Sequence, residues 1–311
     1  MQPKNAKGWK QFVAKLKSST KITLNDRQEA KELTEIAITK AVERRIPKKR
    51  FGVLFSGGVD SSTIAMICRN MKNDFICYSV GLEGAEDLAA AKKAAKKLKL
   101  RLKAKTIKPD EAEDIIRKTA RIVPVIDVVS IGVGSVVYAA MEMAKKDKVK
   151  VLFSGLGSEE IFAGYERHSG YEKKDFSAKS IQKECWKGLA GLWERDMVRD
   201  LAIAGHFGMK IETPFLDEDV IRTAMRIPPE YKISLDQKKI ILREAAESLG
   251  LPKEFAWRKK KAAQYGSNFD KAIAKTAKKH GFKYKKELLD QLKKDRKDKR
   301  VDKKKKISRK K

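Results

Sequence analysis

The 311-residue chain carries 72 Lys and Arg against 41 Asp and Glu, a formal net charge of +31, with 41% hydrophobic residues. That apolar content supports a packed core and excludes wholesale disorder, and the length suits one large or two smaller globular units. No unbroken run of about 18 apolar residues occurs, which argues against a membrane-spanning helix, and the Lys-dotted start lacks the apolar stretch of a secretory signal.

Residues 1–25 predict a basic, partly helical lead with Trp9, Phe12, Val13 and Leu16 at helix-like spacing, within a lead region of 1–32. Asn25 or Asp26 is placed to cap a helix running towards Arg45, with Leu33, Ile36, Ala37 and Val42 as its buried stripe and Pro47 as its stop. FGVLF (51–55) is of strand type and leads through Ser56-Gly57-Gly58-Val59-Asp60-Ser61-Ser62 into a helix carrying Ile64, Ile67 and Cys68. FICYSVGL (75–82) is a second strand, followed by a helix whose Leu88, Ala91, Ala95 and Leu98 share a face. A third strand at 101–107, helices at 110–122 and 130–146, and a strand at 149–153 complete an alternation that predicts an α/β fold. Its parallel sheet carries helices on both faces.

From about 158 the pattern is helical, at 181–205, 217–226, 237–249 and 268–279, with Pro214, Pro228, Pro229 and Pro252 as breaks. After Phe282 only Leu288, Leu289 and Leu292 interrupt the charge, which predicts a frayed helix and then disorder over 283–311. That tail holds 16 Lys or Arg against 5 Asp or Glu, and the rest of the chain is still strongly basic. Such charge favours polyanions, so non-specific RNA contact through surface and tail stands beside a plainly solvated, Lys-rich surface. No zinc finger, helix-turn-helix or RNP-like strand accompanies it. Cys68, Cys77 and Cys185 form neither a CxxC pair nor an even set, which speaks against a disulfide scaffold or zinc ribbon. The chain reads as soluble and cytoplasmic, with no membrane partner.

The turn at 56–62 carries the chemistry. Two glycines let the backbone approach an anion, the helix that follows adds its positive end, and Ser56, Ser61 and Ser62 add hydroxyl donors. Asp60 beside a polyphosphate makes sense as a magnesium ligand. No Gly-Lys-Ser/Thr follows, so this is not a Walker A loop. An ordinary tight strand-to-helix turn is the plainer alternative.

SGGVDSS resembles the pyrophosphate loop of ATP pyrophosphatases, and the chain more narrowly resembles the synthetase domain of asparagine synthetases and β-lactam synthetases. The resemblance runs from about Leu33 to Ala272. It rests on FGVLFSGGVDSS (51–62), YSVGLEGAEDLAAAKKAA (78–95), VLFSGLGSEEIFAGYERH (151–168), TPFLDEDVIRTAMRIP (213–228), KIILREA (239–245) and LPKEFAWRKKKAAQYGS (251–267). It implies an adenine nucleotide alpha hydrolase-like domain over 33–282, its α/β part about 50–165 and its helical part about 180–282. The implied activity is an ATP-dependent carbon–nitrogen ligase of asparagine biosynthesis, which adenylates a carboxylate, releases pyrophosphate and then takes ammonia or an amine.

Residue by residue, the resemblance implies ATP contacts at Phe55, Ser56, Gly57, Gly58, Asp60, Ser61, Ser62, Val80, Ser154 and Gly155. It implies Mg2+ at Asp60 and Glu159, and catalytic roles for Lys239, Arg258, Lys260 and Asp196. The chain departs from the family's Ser-Gly-Glu-Gly-x-Asp-Glu at Leu156, where a Glu tied to acyl-adenylate formation is expected, and at Glu159, which adds a methylene to Asp. β-Lactam synthetases place Tyr at the first of these. Only about 30 residues precede the family domain, too few for a glutaminase, so nitrogen is expected from ammonia, an amine-bearing substrate or a separate glutaminase subunit. The rival readings are adenylation of a tRNA base at the same ATP site, and a non-catalytic nucleotide-binding or scaffold protein.

Overall fold

Alternating strands and helices resolve into one five-stranded sheet with helices packed on both faces. The structure, a computed structural model, describes Pro3 and residues 5–165, 178–259 and 261–308. In chain order the elements begin α1 (Ala6–Ser19), α2 (Arg27–Glu43), β1 (Phe51–Leu54), α3 (Val59–Asn70), β2 (Phe75–Leu82), α4 (Glu86–Lys97) and β3 (Leu102–Ile107). Then come α5 (Pro109–Ile122), α6 (Val128–Lys146), β4 (Val151–Phe153), α7 (Ser158–Ile161), α8 (Ala178–Leu192), a π-turn (Trp193–Met197), α9 (Val198–Phe207) and β5 (Lys210–Glu212). The rest is α10 (Glu218–Arg226), α11 (Ile240–Ser248), α12 (Lys253–Ala256), α13 (Ala263–Gly266), α14 (Phe269–Lys279) and α15 (Lys285–Ser308).

The strand order is β3-β2-β1-β4-β5, and every pairing is parallel, with Gly52 opposite both Ile76 and Leu152. Parallel neighbours require crossovers, and the helices between the strands supply them. Successive residues of β2 point to opposite faces. Phe75 and Cys77 enter a core shared with α1, α2, α3 and α8, while Ile76, Tyr78 and Val80 enter one shared with α5, α6, α9 and α14. The chain leaves β1 in one direction for β2 and β3, and in the other for β4 and β5. A crevice therefore opens at the carboxyl ends of β1 and β4, where such sheets receive ligands.

Several expectations change. The lead is part of the core: Trp9, Val13 and Leu16 are buried, and Trp9 Nε1 donates to the Leu189 carbonyl at 2.8 Å. Burying each such apolar side chain contributes about 1.5–3 kcal/mol, so α1 is fastened rather than appended. Asp26 caps α2 as expected, but Ile36 is 47% exposed and Ile38 takes its place in the core, beside Ala37, Ala41 and Val42. The helix expected over 181–205 is interrupted by the π-turn, and β5 appears between the helices expected at 181–205 and 217–226, where no strand was read. The segment expected to fray and then lose order is helical to Ser308; Leu288, Leu289 and Leu292 are buried, and Arg296 donates to the Val123 carbonyl at 2.6 Å. Helix α6 is long and apolar enough, by length and composition, to cross a membrane, although no unbroken apolar run marks it. Its Ile131, Tyr138, Met141 and Ala144 are buried between the sheet, α5 and α9.

Candidate active site

A cavity of about 740 Å³ lies at the carboxyl ends of β1, β2 and β4. Of the residues picked out in the sequence, Phe55, Ser56, Asp60, Ser61, Val80, Ser154, Gly155, Glu159, Asp196, Lys239 and Arg258 all line it. Gly57 and Gly58 form the turn behind Ser56. Ser62 does not reach the cavity: it is fully buried, and its hydroxyl has no partner among the described residues. Adjacent positions on a helix point about 100° apart, so α3 presents Ser61 to the cavity and turns Ser62 into the core. Lys260 lies outside the described residues.

The turn is shaped by close packing. Gly57 has a left-handed φ of +66°, and a Cβ there would sit 2.8 Å from the backbone of Ala90 and Ala91 in α4. Only glycine meets both demands. The Ser56 N–H donates to Ser61 Oγ at 3.2 Å, and the Ser61 hydroxyl donates to the Gly58 carbonyl at 3.3 Å. Helix α3 begins at Val59 with no capping bond from its N-cap Gly58, which leaves its first N–H groups available to an anion at this turn.

Lys239 is the centre of the strand-side wall. Its ammonium donates to Asp60 Oδ1 at 2.7 Å and Oδ2 at 2.9 Å, to Ser158 Oγ at 3.1 Å, and pairs with Glu159 Oε1 at 2.7 Å. Burial alone would lower its pKa, but Asp60 and Glu159 outweigh this and hold it above the usual lysine value. Lys239 itself adopts a left-handed φ of 59° as it opens α11. A Cβ on Gly164 would fall 1.9 Å from Glu159 Oε2 and 2.3 Å from Lys239 Cε, so the cluster needs glycine there too. The Asp60 and Glu159 carboxylates thus converge on one cation, which fits a hard metal ion. Among the described residues no third His, Cys, Asp or Glu joins them, so phosphate oxygens and water would have to complete such an ion's shell.

Arg258 donates to Asp87 Oδ1 at 2.8 Å and to the Ser56 carbonyl at 3.4 Å, which holds its guanidinium over the phosphate turn. Arg243 was not singled out in the sequence. It lines the same cavity, donates to the Lys238 carbonyl at 2.7 Å, and burial lowers its pKa from the usual arginine value.

The opposite wall comes from α7, the π-turn and α9, and sequence reasoning found only Asp196 in it. Asp196 Oδ2 accepts from Arg195 Nε at 2.6 Å and its Oδ1 from Arg199 at 2.8 Å, while Arg199 Nε donates to Asp200 at 2.7 Å. Both oxygens of Asp196 are thus paired to guanidiniums. Glu160 Oε1 accepts from the Tyr165 hydroxyl at 2.6 Å and from Arg195. Glu160 is 1% exposed, and burial pushes its pKa up to about 7 against the pull of Tyr165 and Arg195. Leu156 lines the cavity between these walls. A π-turn adds a residue to the helical ladder, and here it brings Arg195 and Asp196 to the cavity.

Cys68, Cys77 and Cys185 are all buried; burial pushes the Cys68 thiol up to about 12 and the Cys77 thiol higher still. Cys68 and Cys77 pack as small hydrophobes in the core.

The asparagine synthase family profile matches residues 33–199 and 169–310. The chain belongs to the asparagine synthase family. It is 36% identical over 301 residues to a Methanocaldococcus jannaschii protein assigned as glutamine-hydrolyzing asparagine synthetase 1, an alignment covering 86% of this chain and 55% of that protein. It is 29% identical over 267 residues to the glutamine-hydrolyzing asparagine synthetase B of Escherichia coli K12, covering 81% of this chain and 47% of that protein. The chain thus spans about half the length of these relatives. Among solved structures it aligns with an NMN synthetase from Francisella tularensis over 86% of both chains, at 12% identity and a TM-score of 0.42, too remote to bear on the site. Within the asparagine synthase family profile fall Asp60, Glu159, Glu160 and Lys239, the charged residues at the centre of both walls.

Proposed function

We propose that the chain is an ATP-dependent amide-forming ligase that activates a substrate carboxylate as an acyl-adenylate. The observation that carries this reading is the convergence of Asp60, Glu159 and Lys239 beside the phosphate turn at the switch point of the sheet. ATP lies with its adenosine against Phe55 and Val80 and its phosphates over the turn at 56–61. The N–H groups opening α3, the Ser56 and Ser61 hydroxyls, Lys239 and Arg258 hold the phosphates and face the charge that grows on departing pyrophosphate. Magnesium, held by Asp60 and Glu159, would add its own charge to that stabilisation.

A carboxylate oxygen attacks the α-phosphorus and the bond to pyrophosphate breaks. The amine nitrogen then attacks the acyl carbon, the bond to AMP breaks, and the nitrogen gives up a proton. The nitrogen arrives as ammonia or an amine, free or delivered by a glutaminase subunit. Leu156 leaves the middle of the cavity less polar than the family motif does, which favours an acyl group other than aspartate or a different placement of it. The test is a pyrophosphate-release screen with carboxylic acids, with and without ammonium, and with bulk tRNA. An acid-dependent release that Asp60→Ala abolishes supports the ligase reading. Release with tRNA and no acid would replace it.

A further inference from the structure

We infer that Glu160 is the acceptor subsite for a cationic amine nitrogen, either an ammonium ion or the primary ammonium group of a substrate. Its two oxygens differ. Oε1 is committed to the Tyr165 hydroxyl and Arg195, whereas Oε2 is buried and accepts no hydrogen bond among the described residues, in a side chain that lines the cavity. The neighbouring guanidiniums are engaged with other oxygens: Arg195 and Arg199 share Asp196, and Arg199 also holds Asp200.

Among the described residues three carboxylates of this cluster answer two guanidiniums, so Glu160, the group with the spare oxygen, is left with its negative charge only partly compensated when ionised. A buried carboxylate oxygen without a donor is costly, and a neutral hydroxyl would mend the hydrogen bond but leave the charge. A nitrogen carrying both N–H and positive charge mends both. A divalent metal ion is the poorer fit, because Asp196, Asp200 and Glu160 Oε1 are already paired to guanidiniums and leave a single oxygen to offer. Leu156 supplies no carboxylate to the cavity, so Glu160 is the group on this wall able to receive such a cation.

Where that nitrogen goes next rests on the ligase reading above, and the experiment separates the two. With the full chain, Glu160→Gln is expected to raise one Michaelis constant by roughly tenfold or more, with smaller effects on kcat and on the KM for ATP. If it is the KM for ammonium, the subsite holds the nitrogen donor as its conjugate acid, which loses a proton to water before its lone pair attacks; if it is the KM for the acid in ATP–pyrophosphate exchange, it holds the ammonium group of the acyl substrate. Unchanged constants for both would overturn the inference. So would a uniform fall in kcat and melting temperature, the mark of a purely structural carboxylate. Wild-type crystals soaked in thallous acetate, a monovalent cation close to ammonium in size, give a readout free of turnover and of variant folding. An anomalous peak within ~3 Å of Glu160 Oε2, lost on adding ammonium chloride, is the expected result, and no peak there contradicts it. If no acid supports turnover, the ligase reading fails while the soak still decides the subsite.

Discussion

The two walls of the cavity manage buried charge in opposite ways. On the strand side a single ammonium, Lys239, gathers two carboxylates, and one of them, Glu159, keeps a third of its side chain exposed. On the helical side Arg199 is 3% exposed and locked between Asp196 and Asp200, far from bulk water. The first arrangement can exchange partners when phosphates arrive, because its charges already meet the cavity. The second is closed around Arg199, while Arg195 reaches solvent at its rim and Glu160 Oε2 accepts no hydrogen bond among the described residues. Exchangeable pairing suits a nucleotide site, and closed pairing with one spare acceptor suits recognition of a smaller group.

If that contrast is right, Arg199→Met should have the largest effect on stability, about 3–5 kcal/mol by denaturant unfolding, because two carboxylates lose their buried partner together. A loss under about 1 kcal/mol would erase the distinction between the walls. Lys239→Met should cost less stability, about 1–3 kcal/mol, since Glu159 can turn to water. It should nonetheless cut ATP–pyrophosphate exchange by roughly a hundredfold or more. Equal stability losses for the two variants would mean that both walls are closed.

Leu156→Glu comes next and sharpens the boundary between the walls. With aspartate as the acyl substrate it should raise ammonia-dependent asparagine formation roughly tenfold. With a less polar native acid it should depress that reaction, because the new carboxylate must be desolvated. No change with either acid would remove position 156 from the reacting centre.

The smallest effect belongs to an ion cluster outside both walls. Burial would raise the Glu113 pKa, but hydrogen bonds from His280, Arg117 and Lys279 hold it down at about 2. A carboxylate depressed in the folded state stabilises above its ordinary value near 4.5 and loses that contribution as pH falls towards 2. Glu113→Gln should therefore melt lower than wild type at pH 7, and the gap should close across that acid window. A gap independent of pH would show that the carboxylate's charge is not what stabilises.

What the sequence discloses follows the same division. The strand wall was legible because its residues sit in contiguous motifs, and FSGGVDSS and VLFSGLGSEE carry Asp60 and Glu159 with them. Ser62 misled, since contiguity says nothing about the turn of a helix between neighbours. The helical wall was nearly invisible. Its charges come from a π-turn that helical periodicity cannot register, and in so basic a chain Arg195 and Arg199 do not stand out. Glu160 follows the expected metal ligand directly, and only its burial distinguishes it. The one available signal was Arg195-Asp196 with Arg199-Asp200 four residues on, acid–base pairs repeated at helical spacing beside Trp193 and Met197. In the fold, β5 was missed because three residues with one apolar centre are too short for a period to show, while Ile36 and Ile38 could be told apart only by the partners α2 meets.

The most direct measurement follows oxygen from the acyl substrate. Given an acid that drives pyrophosphate release in the screen, its carboxylate is enriched in oxygen-18 and the nucleotide product is read by mass spectrometry after a single turnover with ammonium. Attack of that carboxylate on the α-phosphorus predicts AMP carrying one oxygen-18 atom, with unlabelled pyrophosphate. Unlabelled AMP, or ADP with the label in inorganic phosphate, would contradict acyl-adenylate formation at this cavity.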